Sequence, residues 1–204
     1  MKNKDFNTIV IGLQMIEKHK QEYKEAERAI MANDVWSQEY KEAQAEKART
    51  LAAGKIAEIH SKIDTAAEAL EAYVKQNAPK LDITDGRIQT AIMLAQTVGE
   101  DMPYDTQESL IAPFLGNAQT LGVLLPVLKG AGVMVAAQAA ESELERLGQS
   151  TNFLSNACDT AYYAQDMNSA PAELHNVLTG ARVFAEVHGF DVPEMTAEAA
   201  AEIA

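Results

Sequence analysis

The chain has 204 residues, 47% of them hydrophobic and 6% aromatic, with 17 Lys/Arg against 30 Asp/Glu for a net charge of −13. That hydrophobic share is too high for a disordered chain and ordinary for a globular one. The acidic balance argues against direct contact with nucleic acid. One cysteine, Cys158, excludes an intrachain disulfide.

The charge is unevenly placed. Residues 1–80 hold 13 Lys/Arg and 13 Asp/Glu and are neutral, whereas residues 81–204 hold 4 and 17 and carry the full −13. The opening MKNKDFNTIVIGLQMIEKHK has a basic start and a short apolar run, but Gln14 and Glu17 interrupt it and no small-residue cleavage site follows. It reads as the first turns of an amphipathic helix.

Asn3 or Asp5 caps that helix. Apolar residues then recur at Phe6, Ile9, Leu13, Ile16, Tyr23, Ala26 and Ile30, which is helical spacing, and Asn33-Asp34 stops it. Ser37 caps a second helix. Its residues Ala52, Ile56, Ile59, Ile63, Ala66, Leu70 and Tyr73 alternate steps of four and three, a heptad seam. Asn77-Ala78-Pro79 ends it, since the residue before proline leaves the helical region. The short link through Val35 and Trp36 folds the two helices back antiparallel. The second helix outruns the first, so its far end, Ile63–Val74, needs a partner from the C-terminal region or another subunit.

Beyond residue 80 the sequence predicts further helices. Thr84 or Asp85 starts one that reaches Val98. Asp105 or Thr106 starts the next, which continues to Leu115 through Pro113. Residues 109–140 carry one charge, Lys129, and Asn117, Gln119, Pro126 and Gly130 keep any apolar run short of the roughly 18 residues a membrane span needs. This stretch reads as a pair of buried helices, with a self-association or membrane-active role as the alternative. A helix over about 133–147 is expected to stop at Gly148, with Ser150 or Thr151 capping a successor. Pro171 opens another that runs to His188 and stops at Gly189. Pro193–Ala204 is a short helix or a frayed acidic tail.

The expected fold is therefore all-α: a long antiparallel, coiled-coil-like helical hairpin over 1–80, an acidic helical bundle over 81–192, and an Ala/Glu-rich tail over 193–204. No chemistry stands out. His19, His60, His175 and His188 do not pair at metal-ligand spacing. Glu141, Glu143 and Glu145 alternate and so do not share a helix face. Cys158 sits among Leu154, Ala157 and Ala161, which suits a buried, inert thiol. No Gly-rich phosphate loop, serine elbow or Walker pattern occurs. The expectation is a non-enzymatic protein with no catalytic residues, cofactor or metal.

Residues 30–72, IMANDVWSQEYKEAQAEKARTLAAGKIAEIHSKIDTAAEALEA, resemble the opening of small tailed-bacteriophage structural and capsid-assembly proteins. In these a helix and short turn precede an S-x-E-Y launch, here Ser37-Gln38-Glu39-Tyr40, into a long Lys/Glu/Ala helix. The resemblance implies a virion or assembly role, self-association, contact with capsid, portal or tail proteins, and a place in the virion or the host cytoplasm. It makes the seam from Ala52 to Tyr73 and Trp36 in the turn the candidate interaction residues. The hairpin also resembles small secreted helical hairpins of Gram-positive bacteria, with Trp36 in the turn but Gln38 where those carry glycine. That implies a secreted or regulatory binding module instead.

Overall fold

A computed structural model describes residues 3–167 and 172–203, with 172–175 and 202 described by backbone alone. The described residues are all-α, without strands. The helices are α1 (Lys4–Met31), α2 (Gln38–Asn77), α3 (Gly86–Val98), α4 (Tyr104–Ile111), α5 (Ala118–Gly130), α6 (Met134–Tyr163), α7 (Ala172–His188) and α8 (Ala197–Ile203). Their contacts divide the chain into two units, one of residues 1–73 with 152–204, the other of residues 74–151. Residues 152–204 thus group with residues 1–73.

In the first unit, α1 and α2 form the long hairpin. The α1 cap is Asn3, whose Oδ1 accepts from the Phe6 N–H at 3.0 Å. The α2 cap is Ser37, whose hydroxyl accepts from the Tyr40 N–H at 3.3 Å. Asn33 shapes the turn between them: its Oδ1 accepts from the backbone of Val35 (3.0 Å) and Trp36 (3.2 Å). Lys41 Nζ reaches back across the turn to the Met31 carbonyl at 3.0 Å. Further along, Gly12 of α1 lies against Ile59 and Ile63 of α2, so the helices run antiparallel for most of α1.

The first half of α1 is not amphipathic as expected. Ile9, Val10, Ile11, Gly12, Leu13, Met15 and Ile16 are all buried, and a helix that is apolar all round must be covered all round. The cover comes from α2 and from the C-terminal part of the chain. Phe6 meets Phe153 of α6, Phe184 of α7 and Phe190 at ring-centroid distances of 5.9, 5.7 and 5.6 Å. Helices α7 and α8 both pack on α1. The described part of the terminal segment holds a short helix: Thr196 caps α8 through its hydroxyl, and Ile203 is buried. Lys20, itself buried, donates from Nζ to the Asp166 carbonyl at 3.1 Å, just past the end of α6.

The second unit packs α3 on α5; Ile88, Ala91 and Ala95 are buried on α3, and Leu121, Leu124 and Leu128 on α5. Asp85 caps α3 by accepting from the Arg87 N–H at 2.9 Å. Helix α4 starts one residue before the expected caps, after Pro103, and no side chain caps it. It also ends early. Pro113 lacks an N–H, and the chain tightens into a 3₁₀ turn over Ala112–Phe114 before Leu115 leaves the helical region. The buried Gln107 stitches the unit: Nε2 donates to the Met102 carbonyl at 2.8 Å, and Oε1 accepts from the Val135 N–H at 3.0 Å. Residues 109–140 supply the buried Leu110, Phe114, Leu121, Leu124 and Leu128, yet Leu115, Val123 and Met134 stay exposed.

Helix α6 overturns one expectation. It runs without a break through Gly148, Ser150 and Thr151. A glycine inside a helix costs only about 1 kcal/mol, and Thr151 satisfies its hydroxyl by donating to the Leu147 carbonyl at 3.0 Å. The chain passes from one unit to the other within this helix, between Thr151 and Asn152. Helix α7 ends at His188 as expected, with Gly189 at φ +68°, while the expected start at Ser169–Pro171 lies outside the described residues.

Candidate interaction surface

The seam divides by depth. Ile56, Ile59, Ile63, Ala66 and Leu70 are buried within the first unit, and Ala52 is the outermost buried seam position. Tyr73 is the exception at 38% exposed, with its ring 6.0 Å from Phe190. The far end of α2 thus finds its partner in the C-terminal segment of its own chain. Lys62 Nζ donates to the Ile203 carbonyl, and His60 stands 6.0 Å from Tyr162.

The distal half of the hairpin, residues 24–55, is different. Only Ala45 and Ala52 are buried in it. Two alanines remove little apolar area from water. Tyr23 closes the buried half, donating from its hydroxyl to Glu27 at 2.8 Å. Burial, with Glu27 beside it, pushes its phenol above the usual range. Past it, Met31, Val35, Trp36, Tyr40 and Leu51 are exposed, Val35 at 91% and Leu51 at 67%. Trp36 and Tyr40 meet edge to face at 5.1 Å where the turn enters α2. On the outer face of α2 a shallow groove runs past Ala43, Lys47, Thr50, Leu51, Gly54 and Glu58. Among the described residues, nothing beyond its own stretch of helix lies within 4 Å of a Cβ built at Gly54.

The polar clusters are paired within the chain. Glu143 accepts from the Gly116 N–H at 3.0 Å and from Arg146 at 2.8 Å. Arg146, then the Gly116 amide, hold its carboxyl below the usual range against the opposing effect of burial. Glu141 pairs with Lys129 instead, so the alternating glutamates do diverge. His60 is less solvated than a flank position implies: its side chain is 18% exposed and its Nδ1 lies 3.4 Å from Asp64 Oδ2. Asp64 also bonds the Cys158 thiol. Burial, then the Asp64 charge, push that thiol up to about 11. A thiol held there is a poor nucleophile at neutral pH. His188 is half-buried against Phe184 at 4.4 Å, and desolvation lowers its pKa. The side chain of His175 lies outside the described residues.

No group of three His, Cys, Asp or Glu among the described residues is arranged to hold a metal ion. No described helix is long and apolar enough to cross a membrane. Comparison with protein-family models, with curated proteins and with solved structures finds no match.

The hairpin and the burial of the seam from Ile56 to Leu70 are legible in local periodicity. The exposure of the outer face of α2 is not, because Leu51 stands alone among charged and small residues and adds little to any periodic apolar signal. Only the position of α1 shows that this face is bare.

Proposed function

We propose that this chain is a non-enzymatic structural or assembly protein of a bacteriophage virion, capsid-associated, scaffold-like or a connector. It works through helix-mediated contacts with other virion proteins and with copies of itself. The observation that carries this reading is the uneven clothing of the hairpin. Its proximal half is locked into the chain's own C-terminal segment, whereas residues 24–55 present exposed Val35, Trp36, Tyr40 and Leu51 on a two-helix arm. An arm whose seam is closed by two alanines gains little from its own packing and has apolar surface to spend on a partner. The likeness of residues 30–72 to phage assembly proteins supplies the class of partner.

Co-purification tests it. The tagged full chain, expressed in cells that produce the particles, is expected to retain capsid, portal or tail proteins identified by mass spectrometry. Retention that is lost on replacing Val35, Trp36 and Tyr40 by Ser, with folding intact, locates the contact in the arm. Particles that assemble normally without the chain, together with no virion protein retained, overturn the reading.

The secreted or regulatory module stays as a second reading because of one feature, the exposed Trp36–Tyr40 pair at the hairpin turn. It predicts export from the producing cell, and a chain found only inside cells excludes it.

A further inference from the structure

We infer that the outer face of α2 docks a second copy of this chain, antiparallel, about a two-fold axis that passes between Ala52 and Ala53. The inference deepens the proposed function by naming the partner and the register at one face of the arm.

Ala43, Lys47, Leu51, Gly54 and Glu58 share this face, since steps of three and four residues along a helix keep to one side. All five are exposed. The face lies away from the seam that α1 covers. Leu51 and Gly54 sit at equal distances either side of the Ala52–Ala53 midpoint, and so do Lys47 and Glu58. A single antiparallel register therefore does two things at once. It seats the Leu51 side chain of each copy over Gly54 of the other, where no Cβ stands in the way. It also sets each Lys47 opposite the other copy's Glu58. No described partner within the chain forms an ion pair with Lys47 or Glu58.

Parallel pairing in register fails on both counts. It sets Lys47 against Lys47 and Glu58 against Glu58, and it stacks Gly54 on Gly54 with no side chain to fill the gap. Charge beyond the groove points the same way. Residues 24–55 hold six Lys/Arg and six Asp/Glu, so the arms do not repel one another. The segment that packs beside the proximal hairpin, residues 152–204, holds eight Asp/Glu and one Arg. Antiparallel arms carry these acidic segments to opposite ends of the pair, and parallel arms would bring them together. The contact from Ala43 to Glu58 is about 24 Å long, which suits a weak, reversible dimer more than an obligate one.

The test is sedimentation velocity of the full chain over a concentration series, with circular dichroism on each variant to verify folding. The wild type is expected to dimerise reversibly in roughly the micromolar range. Leu51→Glu gives a monomer. Lys47→Glu sets two carboxylates together at both ends of the contact and weakens the dimer roughly tenfold or more. The double variant Lys47→Glu, Glu58→Lys restores it, because the swap recreates both pairs between copies while Lys47 and Glu58 of one copy lie three helical turns apart. A wild type that stays monomeric at every concentration overturns the inference. So does a dimer indifferent to these substitutions, or one that the double swap fails to restore. A monomer that still retains virion proteins refutes the pairing and leaves the proposed function intact, and a dimer that retains none does the reverse.

Discussion

A Cβ placed on Gly12 would lie 3.0 Å from Ile63 Cγ1 and 3.3 Å from Ile59 Cγ2. Glycine at this position is what lets α1 lie against the seam of α2. Gly54, one helix away, faces open space. The two glycines therefore predict opposite outcomes. Gly12→Leu is expected to cost about 1–3 kcal/mol through overpacking against two buried isoleucines. Gly54→Ala is expected to gain about 0.5–1 kcal/mol from helix propensity. Urea denaturation at a protein concentration low enough to keep the chain monomeric measures both.

The seam and the arm differ in the same manner. Ile63 is fully buried and Leu51 is 67% exposed. Ile63→Ala is expected to lose about 2–5 kcal/mol, the transfer and cavity cost of a core aliphatic. Leu51→Ala should change monomer stability by no more than about 0.5 kcal/mol. Ile59→Asp goes further, burying a carboxylate in the core, and is expected to leave the first unit unfolded by circular dichroism.

This contrast also marks how much was legible in the sequence. The steps of four and three from Ala52 to Leu70 exposed the seam, and Asn3, Ser37 and Asp85 exposed the helix starts, because heptads and caps are local signals. Gly148-Gln149-Ser150-Thr151 imitated a stop and a new cap. The helix ran on because no proline enforced the break and the hydroxyl of Thr151 turned back onto its own helix. The run Ile9–Ile16 reads as one apolar face; its burial on every side depends on α2, α7 and α8, which pack on α1 from far along the chain. No local pattern carries that information. The bare outer face of α2 was equally hidden, since exposure is set by what the rest of the chain fails to cover.

Acid should weaken the aromatic core. His188 is half-buried against Phe184, and desolvation lowers its pKa. The folded chain thus binds a proton at His188 less readily than the unfolded chain does. The stability this contributes is present above the unfolded histidine pKa of about 6.5. It falls away as the pH drops below that value toward the lower folded pKa. Thermal melts at pH 7.5 and pH 5.5 should show the decline, and His188→Leu should remove the share due to this side chain.

Cys158 should resist modification. Its thiol is pushed up to about 11 by burial and by the Asp64 carboxylate. Labelling by a thiol-reactive disulfide at pH 7.5 is expected to be much slower than for a free cysteine. Asp64→Asn removes the charge and should speed labelling without unfolding the chain. Equal rates for the two proteins would contradict the role assigned to Asp64.

The chain clothes the proximal half of its hairpin and leaves the distal half exposed. Hydrogen exchange followed by mass spectrometry tests it most directly, on the full chain at a concentration where it is monomeric. Peptides covering residues 6–16, 59–70, 153–161 and 181–188 should exchange slowly and together, while those covering 24–31 and 38–51 exchange faster, as few buried contacts hold them. Equal protection along the whole length of α1 and α2 would contradict the account.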